Sequence, residues 1–275
     1  MMKIAVLIAS RGRPFRLQVA LQRLFDTADS PEDIIAAVWL DDDDMTPSLD
    51  VVRGFMGGRV VANVGQRPDA LGDAHNALST MVDADLYCVL ADDVYPELRG
   101  WDSLLKSEHA IHNQPVYCWK HRSDDPAYPI LTREWVQAAG GIFTAGLFPF
   151  WFDDFWLAEV VEIATGLPIA CLTGLKLTGD KGTGTPRMRD LAYWYSVFHK
   201  TRVLRLEEAN RIHRAMYGTE LPDRSDIIAD MAIKDAWREE MSPMWQEAYS
   251  TAVGEPDAGY IKAMEKSTYV VNSVS

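Results

Sequence analysis

Three features of the sequence predict an α/β fold with a mostly parallel central sheet and a helical C-terminal extension. Apolar, β-rich runs alternate with helical stretches through the first ninety residues. The runs are apolar at nearly every position, as strands buried on both faces are. Three of them end in a polar cluster: "SRGRP" after the first, "DDDD" after the second and "ADDV" after the fourth. Ligands of parallel sheets bind beyond the carboxyl ends of the strands, so these clusters are expected along one edge.

The elements follow in order. "KIAVLIA" is the first strand, and Pro14 opens a helix through "FRLQVALQRLF" with a period near 3.6. "IIAAVWL" is the second strand, followed by Asp41 to Asp44 and a short helix from Pro47 to Gly54. "RVVANV", a helix through "ALGDAHNALSTMV", and "DLYCVL" complete a β-α-β-α-β-α-β series. Beyond Trp101 the alternation weakens. "PVYCWK" and "LPIACL" are read as strands, "TREWVQAAGG" as a short helix, and "FDDFWLAEVVEIATG" as a helix closed by Gly166. "GLKLTGDKGTGTPRMRD" reads as a mobile basic loop carrying Lys176, Lys181, Arg187 and Arg189. From Leu191 the pattern is helical, and "STYVVNSVS" reads as a late strand or a tail. The expected division is 1–190 for the α/β domain and 191–275 for the helical extension, whose apolar faces predict docking or a homodimer contact.

Composition narrows the partners. The chain has 275 residues, 48% of them hydrophobic, with nine tryptophans, which suits one large domain with an appendage. A net charge of −13 disfavours nucleic acid and anionic membrane surfaces, so an anionic ligand must be held by local basic groups. Cys88, Cys118 and Cys171 are widely spaced in apolar segments, the pattern of reduced core thiols in a cytoplasmic protein. No signal-peptide pattern opens the chain, and its longest apolar stretch is too short to cross a bilayer, so a soluble protein is expected.

Asp92 and Asp93 stand at the end of a buried strand. Two like charges roughly 4 Å apart repel by about 4 kcal/mol at an effective dielectric near 20, so water, an arginine or a metal ion must offset them. A solvated turn is the plain alternative. In "VWLDDDDMT" the spacing Asp42-x-Asp44-x-Thr46 resembles the nucleophile and general acid of haloacid-dehalogenase-type phosphatases. That family needs a lysine between its two acidic motifs, and none occurs from Met45 to Ala91.

Taken together, "SRGRPFR", the Asn-bearing helix "GDAHNAL" and "ADDV" followed by "GWD" resemble GT-A glycosyltransferases, especially bacterial and phage members of the family-2-like group, over residues 3 to 165. The resemblance implies a nucleotide-sugar donor, commonly UDP-linked, and an unidentified acceptor hydroxyl. By position it makes Asp92 and Asp93 ligands of Mn2+ or Mg2+, with Asp92 alternatively on the ribose, and Asp41 or Asp42 the partner of the nucleobase. Ser10, Arg11, Arg13, Arg67 and Asn76 fall near the nucleotide. Asp153 or Asp154 becomes the acceptor-side base, while an acid there also suits a helix N-terminus. The sequence departs from the family in two places. Many relatives carry an uncharged residue in place of Arg13, and many place a metal-binding histidine after the last strand, where residues 172 to 190 have none. Lys176, Lys181 or Arg187 could neutralise the diphosphate instead. A non-catalytic nucleotide-sugar-binding protein is the further alternative.

Overall fold

The computed structural model describes residues 2–43, 45–55, 57–121, 126–149, 152–179, 190–249 and 258–274. Among them the chain forms β1 (Ile4–Ser10), α1 (Pro14–Asp26), β2 (Ile34–Asp41), α2 (Met45–Gly54), β3 (Val60–Gly65), α3 (Leu71–Met81), β4 (Leu86–Ala91) and β5 (Val94–Pro96). There follow α4 (Trp101–His112), β6 (Val116–Lys120), β7 (Pro129–Thr132), α5 (Arg133–Ala139), α6 (Asp153–Thr165) and β8 (Ala170–Gly179). Four helices end the chain: α7 (Leu191–Lys200), α8 (Arg202–Tyr217), α9 (Ser225–Tyr249) and α10 (Ala258–Val274).

The strands form one mixed sheet in the order β3-β2-β1-β4-β7-β6-β8-β5. The α/β class stands as the sequence predicts, and strands β1 to β4, of which β1, β2 and β4 are almost wholly buried, pair in parallel in the order β3-β2-β1-β4. The other half is mixed. β7 inserts antiparallel between β4 and β6, and β5 pairs antiparallel with β8, while β6 and β8 run parallel. β5 and β7 span only three and four residues, too few to show a period in sequence. The first part of the expected basic loop is strand. Lys176 lies within β8, and a Cβ at Gly179 would overlap the Asp93 carbonyl, so that glycine serves close strand approach. Lys181, Arg187 and Arg189 lie outside the described residues. "STYVV" is helical, within α10, despite its β-branched residues.

The chain separates into two compact units, residues 1–143 with 169–181, and residues 144–168 with 182–275. In the first, Leu17, Leu21 and Leu24 project from α1 at helical spacing onto Ile4, Val6, Ile34 and Ala36 of the sheet, and all are buried. Each such Leu, Ile or Val side chain contributes about 1.5–3 kcal/mol on leaving water. "GWD" belongs to this framework. Gly100 adopts φ 76° and donates to the Thr27 carbonyl, the Trp101 indole donates to the Leu24 carbonyl at 3.1 Å, and the buried Asp102 carboxylate accepts from the amides of Asp29 and Ser30 at 2.8 and 2.9 Å.

In the second unit α6 packs against α8 and α9, and α7 against α9 and α10. Phe148, Phe152, Trp156, Trp194 and Phe198 form its aromatic core. Fully buried Arg205 crosses this core, bonded to Glu159 at 2.7 Å, with its guanidinium 3.9 Å from the centre of the Phe198 ring. Trp194, Val197 and Ile212, apolar positions of the expected extension, are buried there.

Candidate active site

Strand register brings the first unit's polar clusters to one edge. Ser10 ends β1 opposite Leu40, Asp41 ends β2 opposite Gly65, and Ala91 of β4 pairs with Ala9 of β1. The residues that follow these strand ends therefore emerge side by side. Pro14 then starts α1 at its first position, which fixes the direction in which Arg11 and Arg13 leave β1.

Arg11 serves β2. Its Nη1 donates to Asp41 at 2.9 Å and to Asp43 at 2.6 Å, and its Nη2 donates to the second Asp43 oxygen at 2.9 Å. The hydrogen bond to Asp43 is the main cause that raises the Arg11 pKa, and Arg11, with the more distant charge of Arg67, holds the Asp43 carboxyl below its ordinary value. Asp41 is buried, and its other oxygen accepts from the indole of Trp39 at 3.0 Å. The two sit two residues apart on one face of β2. The Trp39 ring in turn covers Gly65, where a Cβ would lie 2.7 Å from the indole. Asp42 is exposed and joins Gly65 only through its backbone. Asp44 lies outside the described residues.

Arg13 serves β4. Its Nη1 donates to Asp93 Oδ2 at 2.9 Å, and its Nη2 makes an ion pair with Asp92 Oδ1 at 2.6 Å, outside hydrogen-bond angles. Arg16 adds a longer ion pair to Asp93 at 3.7 Å. Asp92 is fully buried and accepts from Ser10 Oγ at 2.8 Å. Burial pushes its carboxyl up to about 6, against the opposing pull of Arg13 and Ser10.

The arrangement is a ladder of two arginines, each holding two carboxylates, along the strand ends, joined through Ser10, Arg11 and Arg13 in one short stretch. It presents buried acceptors for hydroxyl and N–H groups beside several cations. Trp39 and Arg16 join it without having been singled out in the sequence. Strand period marks Trp39 as sharing a face with Asp41, and helical spacing places Arg16 one turn from Arg13.

Asn76 turns elsewhere. Its Oδ1 accepts from the amides of Ile142 and Phe143 at 2.8 and 3.0 Å, and its Nδ2 donates to the Phe143 carbonyl at 2.6 Å. Its neighbour His75 is buried against the Phe143 ring, and burial lowers its pKa to about 4. Asp153 and Asp154 open α6 in the second unit. The residue that caps this helix is Phe152, in the left-handed region at φ 66°, and neither acid is the cap. Asp153 is buried, and Asp154 accepts from the Phe155 amide at 2.9 Å.

Asp92 and Asp93 offer the hard oxygens that Mn2+ and Mg2+ prefer. As they stand they do not fit such an ion, because the Arg13 guanidinium bridges both carboxylates. Among the described residues no group of three His, Cys, Asp or Glu side chains is placed to hold a metal, and no helix is long and apolar enough to cross a membrane.

No family model and no curated protein matches the chain. Solved structures do. The mannosyltransferase PcManGT from Pyrobaculum calidifontis, in complex with GDP-Man and Mn2+, superposes with a TM-score of 0.58 at 11% identity, over 99% of this chain and 82% of that one. S. aureus TarS 1–349 in complex with UDP-GlcNAc gives 0.56 at 9% identity, over 80% of this chain and 74% of that one. A further structure of TarS 1–349 gives 0.55 at 12% identity, over 78% and 70%. The strand order, the polar edge and these likenesses agree: the chain has the GT-A fold of such glycosyltransferases.

Proposed function

We propose that the chain transfers a glycosyl unit from a nucleoside-diphosphate sugar to an acceptor hydroxyl. The observation that carries this reading is the arginine–carboxylate ladder on the strand-end edge of a GT-A sheet, with Asp41 held rigidly by Trp39 and Arg11. In this reading Asp41 accepts from the nucleobase N–H, with exposed Asp42 as its alternative, and Ser10 and Asp92 line the ribose side. Arg11, Arg13 and Arg67 face the diphosphate, with Lys181 and Arg187 as further cations. Preorganised cations next to the departing diphosphate would lower the barrier by stabilising its developing charge. On the sequence resemblance, Asp153 or Asp154 takes the acceptor proton. A UDP-linked donor is proposed from the same resemblance. PcManGT with GDP-Man makes GDP-linked donors the natural second arm.

A divalent metal is the cofactor that the resemblance implies and that the PcManGT complex carries. The two carboxylates it would need are bridged by Arg13. A phosphatase using Asp42 and Asp44 is disfavoured by the absence of lysine from Met45 to Ala91.

The test is a thermal-shift panel of UDP- and GDP-sugars, with Mn2+ and with chelator, followed by a donor-hydrolysis assay. A shift with one nucleotide class and slow hydrolysis of its sugar is expected. A shift without hydrolysis would leave a binding protein, and no shift with any nucleotide sugar would reject the proposal.

A further inference from the structure

Asp92, Asp93, Arg13 and Arg16 carry two negative and two positive charges, so the group that the resemblance assigns to a metal is formally neutral. A divalent ion is drawn to paired carboxylates by their net charge and by open oxygens. Here the charge is cancelled, and two of the four carboxylate oxygens accept hydrogen bonds, Asp93 Oδ2 from Arg13 and Asp92 Oδ2 from Ser10, while Asp92 Oδ1 is held by Arg13 as an ion pair alone. A planar guanidinium spans two carboxylates as a point-charge ammonium cannot. Arg13 is also tied down by the chain itself. It occupies the cap position of α1 directly before Pro14, and its side chain is three-quarters buried, at 25% exposure. An ion seated between Asp92 and Asp93 would have to displace it.

We propose that Arg13 takes the place of a divalent cation between Asp92 and Asp93, so that this chain binds a nucleoside diphosphate without metal. The inference rests on the donor-site reading above and adds to it the identity of the counter-charge. It implies that Asp92 and Asp93 are already neutralised by Arg13 and Arg16 before any ligand arrives, so that a diphosphate meets guanidinium N–H donors here and not an ion.

The experiment titrates Mn2+ alone into the full chain, wild type and Arg13→Gln, following free ion by electron paramagnetic resonance. UDP and GDP are titrated in parallel by calorimetry, with Mn2+ and with chelator. The wild type is expected to show no saturable Mn2+ uptake below about 1 mM, and nucleotide affinity within about twofold whether metal is present or chelated. Arg13→Gln is expected to gain a Mn2+ site at least about tenfold tighter. Saturable Mn2+ binding by the wild type, a tenfold or greater loss of nucleotide affinity on chelation, or no Mn2+ uptake by a folded Arg13→Gln chain overturns the proposal. If that variant fails to fold, the wild-type titrations decide alone. If neither nucleotide binds under any condition, the donor-site reading fails, while the Mn2+ titration still decides the role of Arg13.

Discussion

The indole N–H of Trp39 donates to the buried carboxylate of Asp41 at 3.0 Å, so the residue proposed to read the nucleobase is oriented by a neighbour on its own strand. Trp39→Phe keeps most of the ring and removes the donor. Nucleotide affinity is expected to fall several-fold, with a stability loss of about 1 kcal/mol, the net worth of one hydrogen bond. Calorimetry with UDP or GDP and a urea melt on the same variant check both. An unchanged affinity would show that Asp41 needs no help from Trp39.

Asn76 separates a structural from a ligand-binding role. Three hydrogen bonds fasten it to residues 142 and 143, so Asn76→Ala is expected to cost about 2–3 kcal/mol in unfolding free energy. Nucleotide affinity measured well below the melting temperature should change little. A stable variant with weakened nucleotide binding would instead place Asn76 at the ligand.

His75 gives a pH dependence of definite sign. Burial lowers its folded pKa to about 4, below the ordinary 6.5, so the unfolded chain binds this proton more readily. The stability that neutral His75 contributes is complete above pH 6.5 and is lost progressively as pH falls from 6.5 towards 4, by up to about 3 kcal/mol. Asp92 acts oppositely. Its folded pKa near 6 lies above the unfolded 3.8, so its contribution is complete below pH 3.8 and is lost as pH rises through 6. Subtracting the stability–pH curve of His75→Leu from that of the wild type isolates the histidine. A flat difference between pH 4 and 6.5 would refute the assignment.

The Arg205–Glu159 pair tests the second unit. Burial lowers the Arg205 pKa to about 10, which leaves the group cationic at neutral pH. Glu159→Leu strands the buried Arg205 and is expected to cost about 3–5 kcal/mol, whereas Arg205→Met leaves Glu159 paired with Arg238 at 3.2 Å and is expected to cost less. The double variant should recover most of that loss, with Arg238 retaining Asp235 at 3.3 Å. Additive losses in a chemical-denaturation cycle would exclude coupling between the pair.

The parallel half of the sheet was legible because β1, β2 and β4 are buried on both faces and read as unbroken apolar runs. The mixed half was not. β5 and β7 are too short for periodicity, and although β7 also pairs with nearby β6, the pairings β5 with β8 and β7 with β4 join segments far apart in the chain. β8 is interrupted in sequence by its two glycines, Gly174 and Gly179, which give its second half a loop-like composition. The polar strand ends could be named from sequence, but their connections could not. Nothing in "SRGRP" says that Arg11 turns to Asp41 and Asp43 while Arg13 turns to Asp92 and Asp93, because neighbouring side chains on a non-helical, non-strand segment have no fixed period. Asn76 illustrates the reverse limit. Its place in the motif order suggested a ligand contact, and its partners, more than sixty residues away, are backbone groups.

"GWD" shows what a short shared string can and cannot report. All three residues are turned inward, onto the end of α1 and the residues just beyond it: glycine by its backbone, tryptophan by its indole and aspartate by both carboxylate oxygens. None of these bonds involves a substrate. A chain that needed only this architecture would use the same three residues, whether or not it turned over a substrate. A search guided by it therefore retrieves kinship of shape, and the chemistry must be read from Arg11, Arg13 and the acids they hold.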